Sequence, residues 1–291
     1  RLEGGPLAQT GVIAGMSGSP VYIDGQLVGA VSYSLGSFSK EPIAGITPIA
    51  EMVDAATLDT PRAPVGVRAR LEMPVTHESV AAAMRASMSW ARPFADRPGD
   101  VQILGSGVSS QIATLLRPIA TPLNFGGFSP DVADLLGTSF REYGFIPVAG
   151  GAAGAQVPGS SPASLRPGDA VGVSIVSGDF SMGATGTVTE VIGNQVYAFG
   201  HPFFNLGPVA FPMTKAYVHT LLPSLTSSMK IATTGDVVGT VQQDRATTIA
   251  GLMGNAPTTI PVKLTLESER GFKKQFAFRV VNDQMFAPLF T

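Results

Sequence analysis

A chain of 291 residues is long enough for one large domain or two modest ones with a real core. Nineteen Lys and Arg against 21 Asp and Glu leave it close to neutral, which argues against a dedicated nucleic-acid binder with its basic face. Cysteine is absent, so disulfides, thiolate metal sites and a cysteine nucleophile are excluded, and no apolar run reaches the roughly 18–20 residues that span a bilayer.

With 14% charged residues, 34 glycines and 23 prolines, the composition favours short strands and many turns over long helices. The chain opens at Arg1 without a leader. It reads as a mature, processed or truncated piece, with an incidental boundary favoured over a cut made by the protein on itself.

The first informative stretch is GVIAGMSGSPVYIDGQLVGAVSY, Gly11 to Tyr33. Asp24-Gly25 between PVYI and QLVGAVSY predicts a hairpin, because both central positions of a type I′ turn need positive φ. EPIAGITPI reads as a further strand, with Thr47 as cap and Pro48 opening a short helix, PIAEMVDAA. VGVRARLEM alternates like a strand, and THESVAAAMRASMSWA (Thr76–Ala91) reads as a helix stopped by Pro93. SPDVADLL signals another helix, capped by Ser129 with Pro130 in its first turn.

Ala149–Ala170 is rich in Gly, Ala, Ser and Pro and reads as a linker or exposed loop. After it come dense strand signals: AVGVSIV, GATGTVTEVI, NQVYAFGHPF and VVGTVQQD. IPVKLTL and QFAFRVV alternate with period two around ESERGFKK, a natural hairpin turn. Met182, Met213 and Met229 read as packing residues.

GMSGSP, within the first stretch, carries candidate chemistry. A serine hydroxyl needs a base, and the oxyanion that forms on attack needs donors. In the G-x-S-G spacing, Gly15 lets the backbone aim its own N–H and that of Ser17 at one point, and Gly18 leaves room for a substrate. A Gly/Ser turn in which Ser17 bonds its own backbone explains the hexapeptide equally. The α/β-hydrolase elbow G-x-S-x-G fails, since position 19 is Ser19.

Three histidines are candidate bases. His77 lies in the first turn of a helix among small residues and reads as a surface position. His219, in the amphipathic segment KAYVHTLLPS, reads as structural. His201 differs: VYAFGHPFFNLG delivers it at a strand end between Gly200 and Pro202, where a general base belongs, although a structural histidine in a Gly-Pro turn also fits.

Two blocks resemble the SpoIVB-type (S55) serine peptidases, the family of a sporulation protease. One is GVIAGMSGSPVYIDGQLVGAVSY with its trailing IAGITPIAEM; the other is GATGTVTEVIGNQVYAFGHPFFNLG with GDVVGTVQQDRATTIAGLMG. The resemblance implies a chymotrypsin-like double barrel, with Ser17 as nucleophile and His201 as base. In the sporulation protease the His block comes first; here His201 follows Ser17 by 184 positions. That order implies a permuted chain, or half-barrels exchanged in a dimer. Triads are set by geometry, so permutation is no bar.

A base also needs an orienting acceptor. Asp244 follows His201 by 43 positions, a fitting return distance, though pairing with Arg245 or a turn role explains it too. Asp236 in TTGDVV is the runner-up. Glu3 is a third candidate, because the family's acid lies shortly before the Ser block.

The expected fold is mostly β: a chymotrypsin-like double half-barrel with an α+β insertion. Residues 1–59 form the Ser-bearing half, 60–160 the α+β middle region ending in the linker, and 161–291 the His-bearing half. The expected function is a serine endopeptidase acting on protein or peptide outside the cytoplasm. It uses no cofactor, metal or nucleic acid, and its specificity wall lies between Val31 and Ile46, with Glu41 the acidic residue there. A non-catalytic binding or envelope module on the same fold is the alternative.

Overall fold

The structure is a computed structural model, and it describes residues 1–3, 7–35, 41–62, 73–88, 116–150, 164–224 and 228–291. Asp24 (φ 50°) and Gly25 (φ 78°) both take positive φ and turn β1 (Pro20–Ile23) into β2 (Gln26–Ser34), as the type I′ signal requires. β3 (Ala44–Pro48) and the short β4 (Arg117–Pro118) pair antiparallel with β2 to make a four-stranded sheet. A single turn of helix, α1 (Leu7–Thr10), precedes it.

α2 (Ile49–Ala56) follows β3 without a side-chain cap. Thr47, expected in that role, is still inside β3 opposite Ala30, and its hydroxyl donates to the Gly200 carbonyl at 2.7 Å. Pro48 therefore stands at the N-cap itself. The one buried side chain of α2, Met52, packs with Ala30, Tyr197 and Ala250, which come from both sides of the molecule.

α3 (His77–Met88) occupies the described part of the helix expected over 76–91. α4 (Pro130–Arg141) begins with Pro130 in its first turn, where a missing N–H costs nothing. Ser129 holds the N-cap in extended backbone but makes no capping bond through its side chain. α4 connects β5 (Thr121–Gly126) to β6 (Phe145–Ala149), a parallel pair. The strand expected at VGVRARLEM and most of the 149–170 stretch lie outside the described residues.

The dominant element is a ten-stranded sheet, so the protein is mostly β, as its composition indicates. Its central strands are β7 (Ala170–Gly178), β8 (Ser181–Ile192), β9 (Gln195–Ala198), β10 (Gly207–Leu222), β11 (Met229–Arg245) and β12 (Thr248–Met253). They pair in the order β7-β10-β11-β12-β9-β8, and β8 pairs with β7 again. These six antiparallel strands thus close into a ring, which removes the open edges a flat sheet would leave. Val173, Met182, Val188, Val196, Phe199, Met213, Val241 and Ile249 belong to the buried core. Each such side chain contributes about 1.5–3 kcal/mol of transfer free energy.

β5 and β6 extend the sheet from β8, so the middle region joins the ring directly. The hairpin of β13 (Thr259–Glu267) and β14 (Lys273–Val281) hangs from β7, and a short α5 (Ala287–Phe290) ends the chain. The segment after α2 is strapped to the ring: Arg245 donates to the Leu58 carbonyl and the Thr60 hydroxyl, and Arg62 pairs with buried Asp283. Among the described residues, no helix is long and apolar enough to cross a membrane.

Candidate active site

The Ser17 loop lies on the ring, and β8 holds it residue by residue. Thr187 donates its N–H to the Ser17 carbonyl at 3.0 Å and its hydroxyl to the Gly15 carbonyl at 3.3 Å. Thr189 donates its hydroxyl to the Gly18 carbonyl at 2.7 Å. Gly15 and Gly18 sit at φ 86° and 93°, in the left-handed region that disfavours a side chain. A methyl at Gly18 would lie 2.0 Å from the Thr187 carbonyl oxygen and 2.5 Å from the Phe199 nitrogen. Glycine is what lets the serine loop touch the backbone leading to His201.

β9 ends at Ala198 because the next two residues leave the extended region: Phe199 has φ 66° and Gly200 φ 69°. A phenylalanine in left-handed backbone is strained, and such strain persists only where the surroundings impose it. Here they do. The Phe199 ring fills the space over Gly186, the Gly200 carbonyl accepts from Thr47, and a methyl at Gly200 would lie 2.0 Å from Ser32 Oγ on β2. His201 follows, buried, with Nδ1 3.0 Å from the Pro202 carbonyl. A carbonyl only accepts, so Nδ1 carries the proton, and the lone pair of the neutral ring is at Nε2. That is the tautomer a general base requires.

Ser17 and His201, 184 positions apart, thus sit on two turns in contact with each other through Gly18 and Phe199. The Ser17 Oγ is fully buried and makes no hydrogen bond among the described residues. Exposure is 0% for Ser17 and 1% for His201, so neither side chain is open to solvent in this conformation. Of the two expected oxyanion donors, the Gly15 N–H is given to the Ala120 carbonyl at 3.2 Å.

Asp244 lies on β11, fully buried, and its carboxylate accepts the N–H groups of Phe203 at 2.9 Å, Phe204 at 3.0 Å and Leu206 at 3.2 Å. It reaches His201 through the turn that follows the histidine. Burial pushes its carboxyl above the ordinary aspartate value, against the pull of those N–H donors. Arg245 points the other way, to Leu58 and Thr60. Asp236 is exposed on β11, and Glu3 is exposed and paired with Arg1 at 3.0 Å. Glu41 also pairs with Arg1. His77 is exposed, and His219 sits exposed on β10 with Nε2 3.0 Å from the Thr233 hydroxyl.

Three contributors escape the sequence reading. Thr187 and Thr189 left a trace: with Thr185 they alternate in GATGTVTEV, a polar period of two in an otherwise buried strand. Lys230, in SMKIATT, left none, since a buried lysine and a surface lysine look alike in a strand. Its Nζ donates to the Gly186 carbonyl at 2.9 Å and to Thr187 Oγ1 at 3.2 Å. Burial pushes the ammonium down to about 8.

Among the described residues no group of His, Asp and Glu is placed to hold a metal ion. No family model, curated protein or solved structure matches the chain.

Proposed function

We propose that this chain is a serine endopeptidase of the SpoIVB type, built on a chymotrypsin-like pair of half-barrels with the blocks in permuted order. One observation carries the reading: the loop bearing an unbonded, buried Ser17 hydroxyl packs, through a glycine that could be nothing larger, on the strained turn bearing His201. The six-stranded ring supports the architecture, with the four-stranded sheet as the second half.

In this mechanism Ser17 Oγ attacks the scissile carbonyl carbon while His201 Nε2 takes its proton. The N–H groups of Gly15 and Ser17 hold the oxyanion. The tetrahedral intermediate collapses, the amine leaves with the proton from His201, and water hydrolyses the acyl-enzyme by the same route. Asp244 acts by fixing the turn behind His201. The closed state must open first: Ser17 has to be uncovered and the Gly15 N–H released by Ala120. Substrate class is protein or peptide, and the site of action is outside the cytoplasm, both on the strength of the sequence resemblance.

The burial of Ser17 and the engaged Gly15 N–H favour a second reading, a non-catalytic binding or envelope module on this fold. A fluorophosphonate probe separates the two. The peptidase should label at a residue that mass spectrometry maps to Ser17, and Ser17→Ala and His201→Ala should each abolish it, with turnover of a peptide substrate reduced by about 10⁴–10⁶. A folded protein that never labels at Ser17, or a Ser17→Ala variant with full turnover, defeats this mechanism and leaves the binding module.

A further inference from the structure

Resting on that reading of the site, we propose that Lys230 is a positioning residue for the oxyanion donor, gripping both peptide groups of Gly15 and placing a buried positive charge behind them. The main-chain N–H of Lys230 donates to the Ala14 carbonyl at 2.9 Å, which holds the peptide group carrying the Gly15 N–H. Its ammonium donates to Thr187 Oγ1, and that hydroxyl donates to the Gly15 carbonyl, which holds the next peptide group. A methyl built on Gly15 would stand 3.2 Å from Lys230 Cε, so the lysine stem lies directly beneath the loop. One residue therefore fixes the planes on both sides of the glycine whose N–H direction decides whether an oxyanion is met.

The charge is not consumed by a counterion. No carboxylate pairs with Lys230 among the described residues. On β8 the Glu190 carboxylate accepts the Val191 N–H. On β11, Asp236 is exposed, Asp244 holds the 203–206 turn, and Arg245 bonds Leu58 and Thr60. On β10, Lys215 is partly exposed and His219 bonds Thr233, while residues 11–19 and β5 carry no titratable side chain. A cation left uncompensated by other side chains is costly in a stable core, but it is what stabilises negative charge developing nearby. With its proton held only up to about pH 8, the lysine loses that charge in the mildly alkaline range.

The test is the rate of fluorophosphonate labelling from pH 6 to 10 in the wild type, Lys230→Met and Lys230→Arg. The expected wild-type rate falls as pH rises through about 8. Lys230→Met should label about tenfold more slowly at pH 7 and lack that falling limb. Lys230→Arg, charged throughout, should restore the rate and hold it to pH 10. A Lys230→Met protein with the wild-type rate and limb overturns the proposal. A second measurement needs no catalysis and no Met variant: amide NMR of Ser17→Ala across the same range. The Gly15 and Thr187 signals should titrate together near pH 8, and a Gly15 signal indifferent to that titration overturns the proposal. A wild type that never labels defeats the peptidase reading, while the Gly15 titration still decides the role of Lys230.

Discussion

Gly18 and Gly25 share a left-handed backbone, at φ 93° and 78°, yet stand in opposite surroundings. Around Gly25 there is nothing within 4 Å of where a methyl would go, whereas at Gly18 that methyl meets two backbone atoms under 2.6 Å away. Left-handed backbone alone costs an alanine about 1–2 kcal/mol, so Gly25→Ala should lower the unfolding free energy by that much and leave labelling intact. Gly18→Ala should cost clearly more, because the Thr187 carbonyl belongs to β8 and accepts the Phe199 N–H at 3.2 Å, so neither can swing aside without breaking that bond. It should also slow Ser17 labelling, since the loop must lift off the His201 turn. Urea unfolding of the two variants side by side, with labelling rates, checks both halves; equal costs would mean that the contact with Phe199 is loose. Gly15, Gly18 and Gly200 are what single out Ser17 and His201 in the sequence as residues of closely packed turns. Turns that approach other backbone must be written in Gly, and those letters stand next to Ser17 and His201. Lys230 carries no such mark, because its burial is decided by strands that are distant along the chain.

At the scale of elements, the turn from Phe199 to Leu206 shows what Asp244 does. Three backbone N–H groups converge on one carboxylate, and they replace the strand pairing that β9 gives up at Ala198. Asp244→Asn keeps the shape but puts an amide NH₂ where an N–H already points. One donor is then left facing another, a penalty of about 1–3 kcal/mol. The expected result is a lower unfolding midpoint in denaturant, with labelling of Ser17 slowed because a looser turn holds His201 less well. An Asn variant as stable as the wild type would mean that the carboxylate charge is not what holds the turn. Asp244 could be selected from sequence by its distance from His201, but the partner of its carboxylate could not. That partner is backbone, which no residue letter encodes. The hairpins at Asp24-Gly25 and at 268–272 were legible because their turn chemistry is local, and α4 because Pro130 marks its start. The sixteen-residue β10 was not, since Gly207–Leu222 passes from buried to exposed midway and so never holds one period.

At the scale of the whole molecule, the ring and the four-stranded sheet meet on the His201 turn, and a strap keeps them there. Thr47 from the sheet bonds Gly200, Arg245 from the ring bonds Leu58 and Thr60, and Arg62 pairs with Asp283 beyond the last long strand. The composition announced a β protein, but strand order and ring closure depend on pairings such as β7 with β8 and β10, which alternating letters do not specify. The Arg62–Asp283 pair tests whether the strap carries weight. Asp283 is nearly buried, with a side-chain exposure of 3%, while Arg62 keeps 19% and so is partly screened. Arg62→Ala leaves a carboxylate in the interior with, among the described residues, only the Met285 N–H at 2.9 Å to support it. The expected loss is about 2 kcal/mol, below the 3–5 kcal/mol of a fully buried pair because of that remaining bond and the screening. Asp283→Ala also frees the Met285 N–H, and the double variant should be less destabilised than the sum of the two singles, since neither charge is then stranded. If the strap couples the halves, Arg62→Ala should shift a single cooperative melting transition downward. It should also label at Ser17 faster than the wild type, because loosening the sheet from the ring uncovers the serine. Two separate transitions, or an unchanged labelling rate with lowered stability, would show that the halves open independently of this pair.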